Sequence, residues 1–148
     1  MSSFEEILSR DGRLIYKTRG VSMLPMLHEN RDLVVIEPPE GRLRKYDIAL
    51  YKRGTAYVLH RVIGVREGEY LIRGDNTYLI EYVPEEAVIG VLTGFTRKGK
   101  TVSTNDRLYQ FYARFWCAVY PLRRITVAGR RMLGRIARKL GLRKPKAT

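Results

Sequence analysis

The pattern of hydrophobic and polar positions divides the chain near residue 103. Before that point, branched and aromatic residues fall in short, closely spaced runs separated by turns that contain Gly. Such runs predict β-strands, which we place at 13–19, 32–36, 47–51, 56–65, 69–73 and 87–97. Strands of this length and spacing are typical of an all-β barrel or sandwich. The expected fold is therefore mainly β, a barrel-like domain over residues 1–103.

Helical patterns lie at the two ends of the chain. Ser3 followed by Glu6, just before an apolar pair, has the spacing of a capping box and predicts a short N-terminal helix. After residue 103 we expect a helix that is capped by Thr104 or Asn105, runs toward Tyr120 and is interrupted by Pro121. This helix and the residues after it form the predicted helical extension of 104–148.

A second helix is predicted in the extension, at 125–140, with a frayed end at 143–148. Its apolar residues are expected near one face, with arginines mostly elsewhere: Val127, Met132, Leu133, Ile136 and Leu140. This is the pattern of a basic amphipathic helix. The extension as a whole is accordingly predicted to be a basic amphipathic tail.

The charge of the chain is concentrated in that tail. The net charge is +13, and from Asn105 onward there are twelve Lys or Arg and one acid, Asp106, which leaves +11 there and +2 before it. Such asymmetry predicts an anionic partner, either a membrane surface or nucleic acid. We expect the aromatic helix before Pro121 either to meet the membrane interface or to pack on the β domain.

Several classes of protein are disfavoured by composition. Cys117 is the only cysteine, so no internal disulfide can form, and only His28 and His60 could join it at a metal. No metal or cofactor is therefore expected. The N-terminus lacks the pattern of a secretory signal, and no run reaches the roughly 18 apolar residues of a spanning helix. We expect a cytoplasmic protein, one that can lie peripherally at the membrane.

Three segments carry candidate chemistry. Ser22 lies between Gly20 and Pro25, on a constrained bend where a nucleophile would project toward backbone N–H groups. His60 lies within an apolar strand, where shelter from water favours the neutral imidazole of a general base. Asp75 follows a strand in Arg-Gly-Asp-Asn, where it would orient an imidazole or hold local backbone.

Taken together, these segments resemble the catalytic boxes of the signal peptidase I family, which shares its fold with the self-cleaving domain of the SOS repressor. The boxes occur in the family's order over roughly residues 12 to 95: Ser-Met-x-Pro at 22–25, two Gly-Asp elements at 31–36 and 46–50, the base box at 58–63, Gly-Asp-Asn at 74–76 and the closing strand at 88–92. Both Gly-Asp elements lack their Gly, since Arg31 and Tyr46 stand there. The resemblance implies a serine endopeptidase that cleaves a peptide or precursor protein.

The base box assigns the chain to one branch of that resemblance. Most bacterial members have Lys where His60 stands, whereas the endoplasmic-reticulum and archaeal branch uses His with an Asp. By that resemblance Ser22 is the nucleophile, His60 the general base and Asp75 the orienting carboxylate, with Glu81 as a supporting carboxylate. The oxyanion is expected to meet the N–H of Ser22 and a neighbour, because Gly20 occupies the place of the family's hydroxyl donor.

Two other functions fit the sequence. One is a non-catalytic or self-processing relative of the repressor, which binds nucleic acid or a protein partner through the basic tail. About eleven residues precede the first predicted strand, so no helix-turn-helix is expected there. The other is a degenerate peptidase that serves as a scaffold, an alternative that the two missing glycines leave open.

Overall fold

The computed structural model describes residues 2–141, and it is mainly β as predicted. One short helix, α1 (Phe4–Asp11), precedes the strands, and two helices, α2 (Arg107–Ala118) and α3 (Tyr120–Lys139), come after them. The strands are β1 (Leu14–Lys17), β2 (Leu33–Glu37), β3 (Ile48–Arg53), β4 (Ala56–Arg66), β5 (Glu69–Arg73), β6 (Glu81–Pro84), β7 (Val88–Arg97) and β8 (Lys100–Ser103). A single 3₁₀ turn, Glu85–Ala87, joins β6 to β7.

The strands form one antiparallel sheet that is not a closed barrel. Their order is β1-β2-β7-β3-β4-β5-β6, and β8 pairs with β7 beside this path. The ends of the path, β1 and β6, pair only with β2 and β5 among the described residues, so no ladder closes the sheet. The prediction of a barrel-like domain was therefore wrong in this respect, because the sheet is open. The two strands that the pattern missed, β6 and β8, have four residues each.

The sheet carries apolar residues on both faces, because successive side chains in a strand point to opposite sides. On one face Leu50 and Leu59 pack with the buried methionines 23 and 26 and with residues of α1 and α2. On the other face Tyr51 and Val62 pack with residues of β5 and β6. This division decides which charged groups can reach His60 and which can reach its neighbour Arg61.

Helix ends follow the expected chemistry in part. Ser3 and Glu6 make both hydrogen bonds of the capping box at the start of α1. The N-cap of α2 is Asp106 instead of Thr104 or Asn105. Pro121 lies in the first turn of α3, where a missing N–H costs nothing, so it opens the helix that it was expected to precede.

The two C-terminal helices are buried to different extents. Tyr109 and Ala113 of α2 are buried against the β domain, which supports packing of the aromatic helix on the sheet. No residue of α3 is buried. Val127 is half-buried, whereas the other four apolar residues of the predicted face, at 132, 133, 136 and 140, are exposed. None of the described helices is long and apolar enough to cross a membrane. The predicted frayed end, 143–148, lies outside the described residues.

Candidate active site

Ser22 lies on a loop between β1 and β2 that is held down by its neighbours. Met23 and Met26 are buried in the core beneath the sheet, while the Ser22 side chain is half-buried. Gly20 has φ +83, a left-handed conformation that favours glycine, and its N–H donates to the Glu29 carboxylate at 2.7 Å. The loop is therefore fixed on both sides of the half-buried serine.

His60 meets this serine from the middle of β4. Its Nε2 lies 2.9 Å from the Ser22 Oγ, within hydrogen-bond distance. The His60 side chain is 9% exposed, as expected for a histidine in an apolar strand. The two residues that the sequence nominated as nucleophile and base are therefore in contact.

The opposite side of the imidazole faces a tyrosine and a glutamate. The Tyr51 hydroxyl lies 3.3 Å from Nδ1 of His60 and donates to the Glu81 carboxylate at 2.9 Å. The nearest Glu81 oxygen is itself 3.6 Å from Nδ1, and Arg53 pairs with that oxygen at 2.9 Å. A proton on Nδ1, donated toward Tyr51, leaves Nε2 free to accept from Ser22.

Asp75 contacts Arg61 instead of the imidazole. Two oxygens of its carboxylate each accept from the guanidinium at 2.8 Å, and these two side chains are 2% and 1% exposed. The reason is strand geometry: His60 and Arg61 are consecutive in β4 and point to opposite faces. Asp75 joins the face of Arg61 and Glu81 joins the face of His60. The Asp75 carboxylate is therefore not placed against the imidazole, and of the two carboxylates that the sequence nominated Glu81 lies on the His60 side.

The loop around Asp75 nevertheless touches the Ser22 loop, and it approaches His60, through its backbone. The N–H of Asn76 donates to the carbonyl of Ser22 at 2.8 Å, and the Asn76 side chain donates to the carbonyl of Val21 at 3.1 Å. A Cβ on Gly74 would lie 2.7 Å from the Ser22 carbonyl oxygen and 3.1 Å from Nε2 of His60. The Gly-Asp-Asn segment is therefore a positioning element, and its glycine is required for the close approach.

Electrostatics favour a neutral imidazole that is ready to accept a proton. Burial lowers the pKa of His60 below its ordinary value; Glu81 opposes this shift, Arg53 reinforces it and Asp75 opposes it. Burial also raises the pKa of Tyr51, and the neighbouring Glu81 raises it further, so the phenol stays protonated as a donor. The environment therefore suits a general base on one side and a fixed hydrogen-bond chain on the other.

A groove of about 1060 Å³ opens over the pair. One wall comes from residues 16–20 at the end of β1, and the opposite wall from residues 55–60 at the start of β4. Both walls are strand edges with free ladder positions among the described residues, because β1 pairs only with β2 and β5 pairs with β4 only from Arg61 onward. Phe4 of α1, stacked on Tyr57, lines the same groove.

Four residues around the site were missed by the sequence analysis. Tyr51 and Arg53 could have been found from the register of the β3–β4 hairpin, since a two-residue turn pairs Ala49 with His60 and places Tyr51 diagonally across on the same face. Trp116 and Arg123 both donate to the Asp75 carbonyl, each at 2.9 Å. No local pattern indicates those contacts, because they join the helical tail to a loop about 40 residues away.

Within residues 2–141 no group of three His, Cys, Asp or Glu side chains is placed to hold a metal ion. Cys117 is half-buried in α2, and burial raises the pKa of its thiol. The candidate chemistry of the described residues is therefore that of a serine and a histidine. No protein-family model matches the chain, and a comparison with curated proteins returns no match.

Proposed function

We propose that this chain is a serine endopeptidase of the signal-peptidase type, which cleaves a peptide or precursor protein with Ser22 as nucleophile and His60 as general base. The observation that carries the proposal is the 2.9 Å contact between Ser22 Oγ and His60 Nε2, two residues that line an open groove. The ordered resemblance of the sequence to the catalytic boxes of signal peptidases supports the same reaction.

The proposed reaction proceeds through an acyl-enzyme. Ser22 Oγ attacks the carbonyl carbon of the scissile bond while His60 Nε2 takes its proton. The resulting imidazolium returns that proton to the leaving amine as the C–N bond breaks. A water molecule then attacks the ester while His60 takes its proton. His60 returns that proton to Ser22 Oγ as the ester C–O bond breaks and the acid product leaves. The oxyanion formed during acylation and again during deacylation would be stabilised by the backbone N–H of Ser22.

The hydrogen-bond chain behind the imidazole gives Glu81 the role that the sequence analysis assigned to Asp75. A charged Glu81, acting through the Tyr51 hydroxyl, would hold the Nδ1 proton and stabilise the imidazolium as it forms. Tyr51→Phe is expected to reduce the rate of serine acylation while the fold is retained, because only one hydroxyl is lost. An unchanged acylation rate in this variant would contradict the role of the chain.

The shape of the groove favours an extended peptide as substrate instead of a small ester. Its two walls offer free backbone groups of strand edges, to which an extended chain can hydrogen-bond. A bound strand between β1 and β4 would place one carbonyl near Ser22. This geometry favours cleavage within a chain, hence an endopeptidase.

The test is covalent labelling of the purified chain with a fluorophosphonate probe, followed by mass spectrometry of the labelled peptide. We expect modification at Ser22, loss of labelling in Ser22→Ala, and a large decrease in His60→Ala. Ser9→Ala and His28→Ala are matched controls, because they change a serine and the other histidine away from the pair and should label as the parent does. Cleavage of a quenched peptide library would then define the substrate. Equal labelling of Ser22→Ala would refute the proposal.

A further inference from the structure

The outer side of α3 carries an apolar stripe that nothing in the described structure covers. Its side chains recur at three- and four-residue spacing and are between 45% and 68% exposed: Leu122, Ile125, Met132, Leu133, Ile136 and Leu140. The spacing places them on one face of the helix. We call this set the α3 stripe. On α2, Leu108, Phe111 and Phe115 are exposed with the same kind of spacing.

The rest of these helices is positively charged. Between residues 107 and 139 there are nine Lys or Arg and no acidic residue. Arg131, Arg135 and Arg138 recur at similar spacing, and the helical repeat sets them apart from the α3 stripe. An apolar stripe beside a purely cationic face suits a helix that lies in the interface of a bilayer with anionic lipids.

Charge distinguishes among the possible occupants. A second copy of the chain could cover the stripe, but the paired helices would carry nine cations each with no acidic residue to offset their mutual repulsion. Nucleic acid would match the cations and would leave the apolar side chains in water. A bilayer with anionic headgroups satisfies both, because the acyl chains cover the stripe and the headgroups meet the arginines.

The stripe is also connected to the catalytic loop. Arg123, one turn into α3, donates to the Asp75 carbonyl and stacks on Trp116, which donates to the same carbonyl. Tyr120 donates to the carbonyl of Tyr78 at 3.3 Å, and the Arg73 guanidinium lies over the Tyr120 ring. The loop 73–78 that positions Ser22 is thus held by the first turn of the helix that carries the stripe.

We propose that α3, through its apolar stripe and its arginines, binds bilayers that contain anionic lipid and so holds the Ser22 groove beside the membrane surface. The inference does not depend on catalysis. It predicts binding by the Ser22→Ala chain as well as by the parent, so its failure and that of the proposed function are distinguishable.

The experiment is co-sedimentation of the full chain with vesicles of phosphatidylcholine alone and of phosphatidylcholine mixed with phosphatidylglycerol. We expect binding to the anionic vesicles that weakens as salt is added, and much weaker binding to the neutral ones. Emission from Trp116, the only tryptophan, provides a second readout because its ring stacks on Arg123 in the first turn of α3. Equal binding to both kinds of vesicle, or to neither, would overturn the proposal.

Variants separate the two contributions. Leu133→Glu with Ile136→Glu places charge on the stripe and is expected to weaken binding by roughly a hundredfold, since two apolar side chains no longer enter the interface. Arg131→Gln with Arg135→Gln is expected to weaken it by about tenfold or more at low salt. All four side chains are exposed, so thermal unfolding should stay that of the parent.

Matched controls and rival occupants complete the design. Arg66→Gln with Lys100→Gln removes two exposed cations from the β domain and should bind vesicles as the parent does. If this control lost as much vesicle binding as the Arg131/Arg135 variant does, net charge alone would be responsible for the binding. Sedimentation equilibrium and a duplex-DNA binding assay address the other occupants: a stable dimer broken by the Leu133/Ile136 variant, or DNA binding without vesicle binding, would contradict the lipid assignment.

Discussion

Replacing Asp75 by Asn tests whether this carboxylate serves stability or chemistry. Its two oxygens bind the Arg61 guanidinium at 2.8 Å each, and both side chains are almost fully buried. Arg61 has three further acceptors, the carbonyl of Tyr46 at 3.0 Å, the hydroxyl of Tyr109 at 3.2 Å and the sulfur of Met26 at 3.4 Å, but no second carboxylate contacts it among the described residues. Asp75→Asn therefore leaves a buried cation without its counter-charge.

The expected cost is large relative to the stability of a domain. Breaking a buried ion pair by removing one partner costs about 3–5 kcal/mol, against a total of roughly 5–15 kcal/mol for a typical domain. The midpoint of thermal unfolding should then fall by roughly 10 °C. Arg61→Met combined with Asp75→Leu removes both charges and is expected to recover most of this loss, because well-packed apolar residues can replace a buried pair.

The assay measures stability and chemistry separately. Urea denaturation followed by circular dichroism gives the free energy of unfolding, and fluorophosphonate labelling at low temperature reports on Ser22 in molecules that are still folded. We expect Asp75→Asn to lose stability and to retain a substantial rate of labelling. A change in the free energy of unfolding below about 1 kcal/mol, together with complete loss of labelling, would refute the structural role and return Asp75 to the catalytic machinery.

The remaining predictions concern the electrostatics and backbone of the site. Because burial lowers the pKa of His60, labelling should persist somewhat below pH 6.5 and then fall as the imidazole gains its proton; an acid limb above pH 6.5 would contradict this. Glu81→Gln should move that limb to lower pH and Arg53→Gln to higher pH, because their charges act on the imidazole in opposite directions, and shifts of the same sign would argue against the geometry. Gly74→Ala is expected to reduce labelling by about a hundredfold, since the new Cβ would displace the serine loop. Gly64→Ala, whose Cβ meets only ordinary contacts at 3.5 Å or more, is the control and should label as the parent does.

Local patterns were sufficient for much of the fold. Alternation of branched and aromatic residues placed six strands, and the capping box at Ser3 placed α1, because these signals depend on neighbours in the chain. The four-residue strands β6 and β8 were missed, since so short a segment becomes a strand only when a partner supplies its ladder. The open edge of the sheet was missed for the same reason: closure depends on whether β1 reaches β6.

In the candidate site too, some features follow from neighbours in the chain and others from distant contacts. The sequence by itself determined that Ser22 lies on a constrained loop and that His60 is sheltered in an apolar strand, and it nominated both as a pair. Only the tertiary structure decided which carboxylate lies on the imidazole side of β4. Asp75 and Glu81 are six residues apart, and their roles depend on the face of β4 that each one reaches. The loop after β5 brings Asp75 to Arg61, and β6 brings Glu81 to the side of His60, and a local pattern contains neither of these long-range contacts.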